Sequence, residues 1–264
     1  MVDAKALKLS HYKDVFRVTA PDGTHHIVKT FKGWAKVHCH NNAKYTLQAI
    51  QLLSAELSGV RLPSWVALDD DDVSVRMELL PELRKGKEVY PPQYKAYHHF
   101  FTELYQINAP DWVKDIRQSK VIAEEVLAAI PSDQPMALGF KGDAWGNVLL
   151  SRDTLVLADV EDICIEPLGF SEVIALLEMT TAATSGKPQA LFGLFSLRSV
   201  QPAFIHFLTT SQAQSVIQLA RLAWESRIVS CGKFRKACKV RIADQVVQRL
   251  EQLLAAQAMR EQNL

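Results

Sequence analysis

Residues 138–163 read LGFKGDAWGNVLLSRDTLVLADVEDI, and three polar side chains in this stretch need explaining. Asp143 is followed four residues on by Asn147, and an apolar hairpin pattern then leads to Asp159. In-line phosphoryl transfer leaves little covalent chemistry to a protein. One carboxylate orients the attacking hydroxyl, while an amide oxygen and a second carboxylate hold Mg2+ against the phosphates. The stretch offers one residue for each role: Asp143 as base or positioner, and Asn147 and Asp159 as metal ligands.

Residues 14–31 alternate apolar and polar on both sides of Pro21-Asp22-Gly23, which predicts two strands joined by a turn. The second strand runs through Ile27-Val28-Lys29. From Asn42 to Leu57 the spacing of Tyr45, Ala49, Leu52, Leu53 and Leu57 predicts an amphipathic helix, ended by Gly59 and Pro63. Val73–Leu80 reads as a strand that stops at Pro81, and Asp69–Asp72 before it reads as a solvated hairpin turn. Tyr97, Phe100, Phe101, Leu104 and Tyr105 fall at helical spacing within 93–107. Residues 171–184, 212–226 and 240–260 repeat apolar positions at three- and four-residue intervals, with Ser171-Glu172 and Ser211-Gln212 suited to helix starts.

The order of these pieces resembles the protein-kinase-like clan, in particular its small-molecule branch of aminoglycoside phosphotransferases, fructosamine-type kinases and lipopolysaccharide sugar kinases. Lys141-Gly142-Asp143 through Asn147 is similar to the H-G-D-x-x-x-x-N catalytic loop, and Asp159-Val160-Glu161-Asp162 to the metal-binding triplet. The resemblance implies an α+β, bilobal fold: an ATP-binding lobe at 1–80 with a small antiparallel sheet, and a mainly helical lobe at 81–264 with the catalytic loop and acceptor site. ATP and Mg2+ are the implied cofactors. Lys29 corresponds to the strand lysine that contacts the phosphates. Ser10 lies in the loop that covers them, Met77 lines the back of the nucleotide pocket, and Glu78 stands at the hinge, whose backbone groups read adenine.

The chain departs from the family text in four places. Lys141 replaces His, and the catalytic loop is one residue shorter. The loop Leu9–Lys13 has no glycine, and Gln48 stands where the family helix carries the glutamate that pairs with the strand lysine. An amide can hydrogen-bond an ammonium group but brings no charge. The leading expectation is a small-molecule phosphotransferase, with a sugar among the candidate acceptors. The alternatives are an atypical protein kinase with a protein substrate and an inactive pseudokinase that binds partners.

Composition bounds the partners. Thirty Lys and Arg against twenty-nine Asp and Glu give a net charge of +1, so no global field favours nucleic acid or an anionic membrane. No apolar run approaches the roughly 20 residues that span a bilayer. Cys39, Cys164, Cys231 and Cys238 form no C-x-x-C pair and Met1–Lys5 is polar, which points to a reducing, cytoplasmic setting. His25-His26 and His38-Cys39-His40 have the wrong spacing for a zinc site. Lys233, Arg235, Lys236, Lys239 and Arg241 form a basic segment that reads as a solvated face or as a cradle for an anionic acceptor.

Overall fold

The computed structural model describes residues 3–9, 13–32, 42–69, 73–80, 91–118, 122–141, 148–151, 154–157, 159–182, 207–228 and 233–261. In chain order these form β1 (Asp3–Leu9), β2 (Lys13–Thr19), β3 (His25–Phe31), α1 (Ala43–Glu56), β4 (Val60–Arg61), β5 (Val66–Leu68), β6 (Ser74–Glu78) and α2 (Pro91–Gln106). There follow α3 (Glu124–Ala128), β7 (Met136–Gly139), β8 (Val148–Ser151), β9 (Thr154–Leu157), β10 (Cys164–Pro167), α4 (Phe170–Ala182), α5 (Thr210–Arg227) and α6 (Lys233–Glu261). Two compact units result. One takes its described residues from 1–84 and 147–163, the other from 85–118, 122–146 and 164–264.

In the first unit an antiparallel sheet runs in the order β1-β2-β3-β6-β5. The β2–β3 turn forms where Pro21-Asp22-Gly23 predicted it. Asp22 accepts from the Thr24 N–H at 2.9 Å, and Gly23 takes φ 82°, a left-handed conformation that glycine adopts at little cost. This turn sets the register, pairing Lys13 with Phe31 and Val15 with Lys29, and β6 places Val75 opposite Lys29 and Met77 opposite Ile27. Side chains alternate along a strand, so Lys13, Lys29 and Met77 share one face. At the β5–β6 turn Arg76 pairs with Asp69 at 2.5 Å.

Helix α1 starts one residue after Asn42, whose side chain accepts from the Tyr45 N–H at 2.7 Å. Ala43, Tyr45, Ala49, Ile50 and Leu53 form its buried stripe. The apolar hairpin β8–β9 joins β4 in a second small sheet, in which β4 runs parallel to β9. Leu155, Val156 and Leu157 are buried consecutively, as expected of a strand covered on both faces.

The second unit is mainly helical, with β7 and β10 as an antiparallel pair. Helix α4 is its centre: every residue from Phe170 to Leu177 is buried, so this helix has no solvent face along that run. Val216, Ile217 and Trp224 of α5 and Val246 and Leu250 of α6 complete the same core. Helix α5 begins at Thr210 because Thr209 and Gln212 form a reciprocal capping box, earlier than Ser211-Gln212 suggested. The first turn of α4 is capped by Glu166, which accepts from the Ser171 N–H at 2.8 Å, so Ser171 lies within the helix. The basic segment is helical from Lys233 onward as the start of α6. Among the described residues no helix is long and apolar enough to cross a membrane.

Candidate active site

Four charged side chains converge in the first unit. Lys29 reaches Asp159 at 2.6 Å and Glu161 at 3.2 Å. Lys13 contacts both oxygens of Asp159, at 2.8 and 2.6 Å, and also Glu161. Two ammonium groups therefore face two carboxylates, and the cluster balances its own charge. It has to, because an isolated ion in such a setting would neutralise or unfold its surroundings. Lys13, Lys29 and Glu161 are buried, whereas the Asp159 side chain keeps 24% exposure. Asp159 is thus the member of the four best able to meet a cation from solvent.

The protonation balance follows from the same geometry. Burial alone would raise Asp159, but the Lys29 charge and the hydrogen bond with Glu161 outweigh it and hold Asp159 well below the usual carboxylate range. Glu161 moves upward, first through burial and then through the neighbouring Asp159 charge. Burial pulls Lys13 down, yet the charges of Glu161 and Asp159 prevail and push it above the ordinary lysine value.

Helix α1 fixes the loop that carries Asp159 and Glu161. The Tyr45 hydroxyl donates to the Ile163 carbonyl at 2.7 Å, and the Ile163 N–H donates to Val160 O at 3.3 Å. Tyr45 is buried on the core face of α1, so a neutral hydrogen bond links this helix to the Asp159 loop. Gln48 is half-buried on the same helix. Met77 is buried on the Lys29 face of the sheet. Glu78 ends β6 with its N–H donating to Trp65 O at 3.3 Å, and its carboxylate accepts from Arg61 and from the Ser64 N–H. Ser10, Asp143 and Asn147 lie outside the described residues.

In the second unit the chain that leads to Asp143 is braced at three successive residues. Gly139 lies against the buried Glu166, whose side chain any Cβ placed there would strike. The Phe140 N–H donates to Ser171 Oγ at 3.0 Å, and its ring lies 5.9 Å from Phe100 of α2. Lys141 adopts φ 50°, and Arg227 of α5 donates to its carbonyl at 3.0 Å while pairing with Glu178 of α4 at 3.2 Å. Phe100, Phe101 and Leu104 form the buried face of α2, which meets this segment through Phe100.

The sequence reading missed Lys13 and gave Glu161 no role. Both signals were present. A hairpin centred on 21–23 puts Lys13 and Lys29 on one face of adjacent strands, and Glu161 shares the triplet with Asp159. Among the described residues no group of three or more His, Cys, Asp or Glu side chains is arranged to hold a metal ion.

No protein-family model and no curated protein matches the chain. Solved structures do. An amicoumacin kinase in complex with AMP-PNP, Ca2+ and amicoumacin aligns over 93% of this chain and 88% of its own, at 11% identity and a TM-score of 0.55. A fructosamine-3-kinase candidate from Thermobifida fusca YX-ER1 covers 94% of this chain and 93% of its own, at 20% identity and a TM-score of 0.53. The GDP complex of an aminoglycoside 2′-phosphotransferase-IIIa variant covers 97% and 91%, at 14% identity and a TM-score of 0.51. The chain has the protein-kinase-like α+β fold, with an antiparallel five-stranded sheet toward the N-terminus and helices toward the C-terminus. All three solved structures share that fold with the chain.

Proposed function

We propose that this chain is an ATP- and Mg2+-dependent phosphotransferase whose acceptor is a hydroxyl or amine of a small molecule. One observation carries the reading. Asp159, the carboxylate of the metal-binding triplet, is held by the strand lysine Lys29 at 2.6 Å and remains part-exposed. A hard oxygen ligand beside ammonium donors is the donor set that a metal-bound polyphosphate requires, so the residues fit both cofactors.

When bound, Mg2+ and ATP supply charge neutralisation and the phosphoryl group. Asp159 and Asn147 would hold the metal through carboxylate and amide oxygens, and Lys29 would donate to the phosphates. Gln48 would steady that lysine by a hydrogen bond, and Ser10 would offer donors from the covering loop. Met77 and the Glu78 backbone would receive the base. Asp143 would accept the acceptor's proton or orient its hydroxyl. The lobes implied by this reading are 1–80 for nucleotide and 81–264 for acceptor, and the compartment is cytoplasmic.

Transfer of radiolabelled γ-phosphate to a panel of amino sugars, ketosamines and amino alcohols tests the reading. The wild type should label at least one class, and Asp143→Asn should lower kcat by on the order of 10²-fold or more while nucleotide binding persists. A second reading has its own support, because both oxygens of Asp159 are already engaged by ammonium groups, which compete with a metal. Nucleotide binding without transfer to any small molecule or co-expressed protein would favour that non-catalytic reading.

A further inference from the structure

The strand lysine expected from the resemblance is Lys29 alone, yet Lys13 lies on the same sheet face, on the neighbouring strand, and meets the same two carboxylates. Two features make this more than a stray ion pair. First, Lys13 is a buried lysine at the first position of β2, immediately after the glycine-free loop that would cover the phosphates. A glycine-free loop offers less close backbone approach to a polyanion, so a side-chain cation at its exit supplies what the backbone lacks. Second, the carboxylate that balances the extra cation comes from Glu161, in the loop that also carries Asp159, while α1 carries Gln48. The site therefore stores two cations against two acids. When Asp159 turns to a metal, the acidic charge that faces the two ammonium groups falls, which favours an anion beside them.

We infer that Lys13 is a second phosphate-binding residue, acting with Lys29 on the β-phosphate side of the nucleotide, with Glu161 as the shared counter-ion of the two lysines. This rests on the nucleotide-dependent reading above and adds a residue to it. A merely structural Lys13, present only to neutralise Glu161, would make the same contacts, so the test has to separate the two roles.

The affinities of ADP and AMP, measured by calorimetry in EDTA and again with Mg2+, do so for the wild type, Lys13→Met, Lys29→Met and the charge-balanced double variant Lys13→Met/Glu161→Gln. Circular dichroism confirms that each is folded, and the double variant serves where the single one is not. Lost charge-assisted hydrogen bonds should weaken ADP by about tenfold or more in Lys13→Met while AMP changes little. The loss should persist in the double variant. Recovery of wild-type ADP affinity in the double variant would overturn the inference and leave Lys13 as a counter-ion, with the nucleotide reading intact because Lys29→Met would still bind weakly. A wild type that binds neither nucleotide would overturn the nucleotide reading and this inference with it.

Discussion

The Asp159 loop and the Lys141 segment are positioned by different physics. The first is held by ions: Lys13 and Lys29 reach across 146 and 130 residues of sequence to one carboxylate, in a setting that excludes most water. The second is held by backbone. At Gly139, Phe140 and Lys141 a missing Cβ, an N–H and a carbonyl are each matched to a partner from another element. A charge cluster can be rearranged by an incoming charge without breaking the chain's path. A backbone brace cannot, because each of its contacts fixes the path of the main chain itself. Side-chain charge holds one region and main-chain contacts hold the other.

Breaking the ion cluster should have the largest effect. Glu161→Ala removes the buried one of the two acids and leaves two lysines against Asp159, and loss of one partner of a buried pair costs about 3–5 kcal/mol. Urea unfolding should show that loss. A change under about 1 kcal/mol would mean that Glu161 carries no charge in the folded state. In the second region Gly139→Ala should cost about 2–3 kcal/mol, because the buried Glu166 that it strikes also caps α4 and cannot withdraw cheaply. Wild-type stability there would show the brace to be pliable.

A smaller effect is expected from Arg227→Met, which removes the guanidinium donor to the Lys141 carbonyl. Arg227 is 29% exposed, so water replaces part of what is lost and about 1 kcal/mol should disappear. The smallest effect concerns acid stability. Glu78 is held below its ordinary value of 4.5, chiefly by the Ser64 N–H, with burial opposing. A depressed carboxylate contributes stability that is present above its unfolded value and lost as the pH falls through its folded one. Glu78→Gln should therefore flatten the decline of stability below about pH 4.5. An unchanged acid limb would remove Glu78 from that account.

Much of the first region was legible because its signals are local. The 21–23 turn and the alternation around it give the hairpin, and the Asn42 cap gives the start of α1. The same arithmetic of register puts Lys13 beside Lys29, whereas the resemblance supplies a single strand lysine. The brace of the second region was not legible. Glu166 over Gly139, and Arg227 on the Lys141 carbonyl, join residues 27 and 86 apart through tertiary packing that no periodicity encodes. Ser171 misled for the same reason: a residue that reads as an N-cap serves instead as acceptor for Phe140.

Thermal unfolding with and without ATP and Mg2+, for the wild type and Asp159→Ala, tests whether the Asp159 cluster is a metal–nucleotide site. A ligand at about 100 times its dissociation constant adds on the order of 2.7 kcal/mol. The wild type should show such a gain with both present, and Asp159→Ala should lose its metal-dependent part. An equal Mg2+-dependent gain in the variant, or none in the wild type while a control kinase responds, would contradict it.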